Sequence, residues 1–291
     1  MKIFKYLALL ISLLFVMNSC DEDNPFDGEQ HIKELFLVGA AENIRTQKIA
    51  YGKGEQEAYV SVAMGGSKLP DKDFTVTLSS QNSVIEWCNK KFKYLPDDIH
   101  YQLLDNQYYS IPSYDVVYKS NTSYTLLPVK INPEGLHCDS LYAITFKVES
   151  TTDYAINKSD SALILSFEFV NDYSGLYMLD AMKYEVNAHT GEQTKPSMLS
   201  GTRSLKAVNE NIVRFYNELK AENVVNIKDN CINIEFEPSG DLLFSGWENL
   251  EITEHSSTYD ADKELFNLDY KYVVNGITYQ IIGTLTKQKE L

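Results

Sequence analysis

Cysteine and histidine are scarce in this chain: its 291 residues hold four of the first and five of the second. Cys20, Cys88, Cys138 and Cys231 never fall into a CxxC pair, and His31, His100, His137, His189 and His255 stand singly. A zinc cluster or a Cys-His nucleophile pair therefore has no motif to rest on. Cys88 and Cys138 could be bridged outside the cytoplasm, but small buried thiols are the expected state. Basic residues are also short, 26 against 41 acids, for a net charge of -15. That balance makes nucleic acid and anionic lipid poor partners. Gly-x-Ser-x-Gly, His-Glu-x-x-His and the Gly-rich phosphate loop are all missing, and nothing calls for a cofactor. The run Asp260-Ala261-Asp262-Lys263-Glu264 begins like a calcium loop, but Leu265 holds the glycine position and Lys271 that of the bidentate acid. Calcium by that route is excluded.

Long hydrophobic runs are equally rare. Residues 6 to 17 form one, broken by Ser12 and preceded by Lys2 and Lys5. Twelve residues are too few for a membrane-spanning helix, which needs about 20; they suit the apolar centre of a secretory signal. Beyond it, Asp21 to Gln30 combine charge, Pro25 and Gly28 with almost nothing to bury, the composition of a flexible tether.

What the chain does have is a succession of short runs rich in Val, Ile, Thr, Tyr and Phe, parted by turn residues, which predicts an all-β fold. Leu35–Val38, Tyr59–Met64 and Phe74–Leu78 read as strands, the last two split by the Gly65-Gly66-Ser67-Lys68-Leu69-Pro70 loop. Ser83 and Glu86 have the spacing of a capping box, and Val84, Trp87, Cys88 and Lys91 then share a face, so one short helix is predicted from Val84 to about Lys91 with Trp87 in the core. Tyr142, Ile144, Phe146 and Val148 alternate with polar residues, as do Leu163, Leu165, Phe167 and Phe169, predicting strands with one buried face. The polar run from Asn171 to Gly175 is a natural domain boundary. In the second half, Ile212, Phe215, Tyr216 and Leu219 fit a helical period while Ile212–Tyr216 has strand composition, and strand is the preferred reading; Ile232–Phe236 and Leu242–Trp247 read as a hairpin. Asn275-Gly276 is the strongest two-residue hairpin signal. It sets Val274 opposite Ile277, Tyr272 opposite Tyr279, Tyr270 opposite Ile281 and Leu268 opposite Gly283, with Gly283 as the kind of bend a barrel corner uses. Successive antiparallel hairpins predict a small closed or nearly closed barrel.

Two resemblances bear on identity. Met17-Asn18-Ser19-Cys20 resembles the lipobox of bacterial lipoproteins, which implies cleavage before Cys20 and acylation of its thiol; the acidic Asp21-Glu22-Asp23 resembles the signal that sends Bacteroides-type lipoproteins to the cell surface. Further on, Trp87-Cys88-Asn89, Tyr94-Leu95-Pro96, Tyr101, Ile111-Pro112, Tyr142 and Ser150–Asn157 resemble the Ig-like N-terminal domain of lipoproteins from Bacteroides glycan-utilisation loci. Asp172-Tyr173-Ser174-Gly175, Thr202-Arg203 and the closing hairpin resemble the lipocalin-like domain that accompanies it. The resemblance implies a signal peptide over residues 1–19, a tether over 20–31, an Ig-like β-sandwich over 32–170 and a lipocalin-like β-barrel over 172–291. It also implies an outer-membrane protein held by its lipid anchor only, facing the cell exterior beside a glycan importer.

Aromatic residues are the one enriched chemical class, with 20 Tyr, 13 Phe and 2 Trp. Sugar rings offer flat C–H patches, and an exposed aromatic beside a hydrogen-bonding group is the usual answer to them. Most tyrosines of a β protein nonetheless pack. The candidates for carbohydrate contact are Trp247, with Ser245, Gly246, Glu248 and Asn249 around it, Tyr259 in a polar run, and Tyr108, Tyr109 and Tyr114 around Pro112. With no catalytic motif, and too little chain after the boundary for a barrel of about 250 residues, the expected function is non-catalytic glycan binding. A structural subunit of a surface filament or adhesin is the alternative.

Overall fold

The computed structural model describes residues 28–289. The expected signal peptide, Cys20 and the tether up to residue 27 lie outside the described residues. Among those described, no helix is long and apolar enough to cross a membrane.

The first eleven strands are β1 (Glu34–Leu37), β2 (Ile44–Ala50), β3 (Gln56–Met64), β4 (Phe74–Ser79), β5 (Tyr101–Leu103), β6 (Tyr109–Ser110), β7 (Asp115–Tyr118), β8 (Tyr124–Ile131), β9 (Leu141–Thr151), β10 (Ala155–Ile156) and β11 (Ala162–Val170). They form two sheets, one in the order β10-β1-β3-β8-β6 and one in the order β2-β11-β9-β4-β7 with β5 beside β9. Apolar side chains from the inner faces, among them Leu35, Val60, Val62, Leu127 and Val129 from one sheet and Val76, Phe146, Leu163 and Leu165 from the other, make one shared core. This is the expected β-sandwich.

Helix α1 (Asn82–Phe92) lies on the outside of the second sheet, and its placement corrects two expectations. Its N-cap is Gln81, without a side-chain cap bond, so Ser83 does not close a capping box. Its buried residues are Ile85 and Cys88, packed on Ala143 and Ile164, whereas Trp87 is 45 % exposed. The helix also explains why β9 departs from simple alternation. Ala143 lies beneath α1, and the fully buried Thr145 uses its hydroxyl on Ser80 Oγ (3.0 Å) and Gln81 N (3.1 Å). Both faces of that strand are therefore covered. Cys88 and Cys138 are free, buried thiols, as burial of small apolar side chains favours.

The chain leaves the sandwich at Val170 and enters β12 (Gly175–Val186). Then follow β13 (Gln193–Ala207), β14 (Ile212–Tyr216), a short helix α2 (Ile227–Asn230), β15 (Cys231–Phe236), β16 (Leu242–Gly246), β17 (Glu251–His255), β18 (Thr258–Asp260), β19 (Leu265–Val274) and β20 (Ile277–Lys287). These strands make one antiparallel sheet, β16-β15-β14-β13-β12-β20-β19-β17 with β18 on β19, rolled into a nearly closed barrel. The last hairpin has the register that Asn275-Gly276 dictates, from Val274 opposite Ile277 to Phe266 opposite Leu285. Its turn residues have φ of 52° and 76°, the positive values that a type I′ turn requires. The hairpin of β15 and β16 also pairs as expected, Ile234 facing Phe244.

The barrel centre is filled rather than hollow. Tyr177, Phe215, Phe266, Tyr270 and Tyr272 are its largest buried side chains. The tyrosine hydroxyls are satisfied within it: Tyr177 donates to the Tyr173 carbonyl (2.8 Å), Tyr270 to Asn217 Oδ1 (2.8 Å), and Tyr272 to Glu218, whose carboxylate also takes Lys183 at 2.8 Å. Leaving such hydroxyls unpaired would cost about 1–3 kcal/mol each.

Candidate functional site

Two concavities among the described residues are of a size to take a small ligand. The larger, about 920 Å³, runs between sandwich and barrel, from Thr46, Lys48 and Tyr101 on one side to Arg214, Tyr216 and Lys287 on the other. Many of its charged groups are already engaged. Asp139 binds Arg214 and Lys206, Glu222 binds Arg203, and Lys287 holds Glu264 at 2.9 Å and the Asp172 carbonyl at 3.1 Å. Of its aromatic residues, Phe167, Phe169 and Tyr216 are buried in the walls and Tyr101 is half-buried.

The smaller groove, about 560 Å³, lies where α1 begins. Ser80 and Asn82 come from the β4–α1 junction, Leu103 and Leu104 from the end of β5, Asp105 and Asn106 from the turn after it, and Tyr109 and Tyr114 from either side of Pro112. Ala143 and Ile144 of β9 close it from behind. Asp105 caps the turn by accepting from Gln107 N at 3.0 Å, which fixes the loop and leaves its second oxygen open. The side chains of Asn82 and Asn106 and the hydroxyls of Tyr109 and Tyr114 have no hydrogen-bond partner among the described residues. Both phenols are half-buried, and burial raises their pKa, with the neighbouring Tyr114 and Asp105 adding to the effect on Tyr109. They remain protonated donors at neutral pH. The groove thus gathers two amides, two phenols and one carboxylate that are free to bond a polar ligand, beside the apolar edges of two rings.

The other expected residues lie elsewhere. Trp247 was expected to be an exposed platform sharing a face with Ser245; it stands past the end of β16, half-buried against Tyr216, Ile227 and Cys231. Its ring covers the Arg214 guanidinium, 4.4 Å from centroid to Cζ, and meets His137 edge-on at 6.3 Å. Tyr259 is on β18 rather than in a loop, and packs among Tyr173, Phe236 and Phe266 with centroids 5.6, 5.4 and 4.6 Å away. Tyr108, in the turn Asn106–Tyr108, leans on the sandwich core. Sequence reasoning missed Asn82, Asp105 and Asn106. They belong to no motif: Asp105 and Asn106 are adjacent, and Asn82 joins them only through the packing of α1 and β5 against β9.

Potential ligand atoms of His137, Cys138 and Asp139 lie within 4.8 Å of one another, a spacing a metal could use. A cation already sits there. Arg214 donates to both oxygens of Asp139 and has Nη1 3.7 Å from Cys138 Sγ, while burial pushes the Cys138 thiol pKa up. A thiol kept protonated beside a guanidinium is a poor metal ligand.

Two family models match the chain, one for an N-terminal domain over residues 31–155 and one for a C-terminal domain over residues 161–286. No curated protein matches. Among solved structures, a Bacteroides ovatus protein of unknown function is 18% identical, with 88% of this chain and 94% of that one covered and a TM-score of 0.65. A multidomain protein including DUF1735, also from Bacteroides ovatus, is 17% identical over 84% and 90%, with a TM-score of 0.61. An auxiliary nutrient binding protein from Bacteroides thetaiotaomicron is 16% identical over 85% and 91%, with a TM-score of 0.59. At these identities the likeness is one of fold, and it extends through both domains.

Proposed function

The chain belongs to the Bacteroides-type two-domain family whose N- and C-terminal models match it, and from that premise we propose that it is a lipid-anchored cell-surface protein that binds a saccharide without cleaving it. The observation that carries this reading is the groove at the start of α1. There the free polar groups of Asn82, Asp105, Asn106, Tyr109 and Tyr114 converge beside two half-buried rings. Alternating hydroxyls and C–H faces are what such a lining fits. Asp105 is the one carboxylate in the lining, whereas glycoside hydrolysis ordinarily needs a pair. The nutrient-binding description of one structural relative accords with the same reading.

The location rests on Cys20 and the acidic run behind it. An acylated Cys20 would hold both domains at the outer membrane, beside the importer that takes up the bound glycan, and the resulting local concentration lets a weak site suffice. Replacement of Cys20 by Ala should release the protein from membranes or stall its processing. Unchanged membrane retention and unchanged size would rule the anchor out.

The binding reading is tested by a glycan array on the purified protein, followed by titration of the best glycan into Tyr109→Phe, Tyr114→Phe and Asn106→Ala variants. Each should lose affinity by roughly 2- to 10-fold, the worth of one neutral hydrogen bond, with an unchanged melting temperature. Binding indifferent to all three substitutions would remove the groove, and release of reducing sugar would overturn the non-catalytic reading.

A further inference from the structure

The outer side of α1 carries a second set of features. Because Ile85 and Cys88 face the sheet, Trp87 points to solvent, and it is followed by Phe92, Tyr94 and Leu95, which are 43, 74 and 56 % exposed. The Trp87 and Phe92 rings stand perpendicular with centroids 6.1 Å apart, and Lys91 Nζ nests in their corner, 4.6 Å from each. Lys90 lies beside it in the last helical turn, and Lys93 follows with its Nζ 5.7 Å from the Tyr101 ring. None of these three lysines forms an ion pair among the described residues. The nearest acids in sequence leave them free: Glu86 and Asp97 make no pair, and Asp98 is turned to the Leu95 backbone N–H at 2.8 Å.

The helix C-terminus favours cations by its dipole, which accounts for lysines in the last turn. It does not account for four large apolar side chains left in water beside them. Three unpaired ammonium groups within four residues are also a local reversal of charge in a chain of net charge -15. We infer that this ledge binds an anionic saccharide, a chain bearing uronate or sulfate groups, at a site separate from the groove. The exposed rings of Trp87 and Tyr94 take the C–H faces of the sugars, and Lys90, Lys91 and Lys93 take the anionic substituents. An anionic bilayer shares this chemistry but presents a broad charged plane, which the acidic remainder of the protein would meet within a Debye length of about 10 Å. A saccharide chain touches the ledge alone.

The purified protein is titrated with a heparin oligosaccharide, with neutral dextran and with phosphatidylcholine/phosphatidylglycerol vesicles. Heparin should bind, more weakly as salt rises, and dextran should not bind at the ledge. Trp87→Ala should weaken heparin binding about 5-fold or more, by analogy with ring stacking in nucleic-acid sites. The triple change of Lys90, Lys91 and Lys93 to Ala should flatten its salt dependence. Tyr109→Phe should leave heparin binding unchanged, so that failure of the groove and failure of the ledge are told apart. No heparin binding, heparin binding unaffected by Trp87→Ala, or binding of vesicles in place of heparin would each overturn the inference. Melting curves of each variant accompany the titrations, since Trp87 is outside the core and its loss should leave them unmoved.

Discussion

Arg214 on the barrel and Asp139 on the sandwich meet through two parallel hydrogen bonds, Nη1 to Oδ2 at 2.6 Å and Nη2 to Oδ1 at 2.5 Å. Lys206 adds a third contact at 3.0 Å, and the Arg214 side chain is only 3 % exposed. A bidentate pair of this kind, closed off from water, ties the two domains at one point.

Asp139→Asn would leave that guanidinium buried without its counter-charge. Breaking a buried pair from one side costs about 3–5 kcal/mol, so the variant should unfold at clearly lower denaturant. The acid limb should change as well. Burial opposes ionisation of Asp139, but the Arg214 bonds and the Lys206 charge outweigh it and hold the carboxyl well below the usual carboxylate range. As pH falls below about 4, the unfolded chain takes up a proton that the native state refuses, and stability drops. The Asn variant lacks this group and should show a shallower loss below pH 4. Parallel acid limbs for the two proteins would show that Asp139 is not the group responsible.

Gly283 is fixed by crowding rather than by turn geometry. A Cβ built there would lie 2.3 Å from the Asp180 carbonyl oxygen and 2.4 Å from Ala181 Cα, both on the neighbouring strand β12. Gly283→Ala should force β12 and β20 apart and cost about 1–3 kcal/mol or more. Wild-type stability of this variant, measured by denaturant melts, would mean that the strands yield there without strain.

Much of the architecture was legible because local signals and long-range pairing agreed. Asn275-Gly276 can only make one tight turn, and once it is placed the period of two carries the register to Phe266 and Leu285. The helix was legible in existence but not in phase. Ser83 and Glu86 suggested one starting point, and the face read from it put Trp87 inward; the helix begins two residues earlier than that reading, and Ile85 takes the inward place because Ala143 and Ile164 offer it an apolar seat. That seat lies on strands far away in sequence. The same limit governs the site. Tyr109 and Tyr114 could be picked out as loop aromatics near Pro112, whereas Asn82, Asp105 and Asn106 acquire meaning only when β5 docks beside β9.

Trp247 separates the two ways of reading this chain. As a sugar platform, its removal would weaken binding and leave the melting temperature alone. The structure instead lays its ring over Arg214 at 4.4 Å, against Tyr216, Ile227 and Cys231, and edge-on to His137 of the other domain. Truncation there opens a void beside a buried guanidinium and removes a cation–π contact worth about 0.5–2 kcal/mol. With the lost packing, about 2–4 kcal/mol is expected in all, below the full cost for a tryptophan because the ring is only half-buried. Trp247→Ala should therefore lower the melting temperature by roughly 4 °C or more, and it should leave saccharide affinity at the groove unchanged, since Trp247 touches none of its lining. A variant that melts like the wild type but has lost its glycan would reverse that assignment and move the binding site to the junction of the two domains.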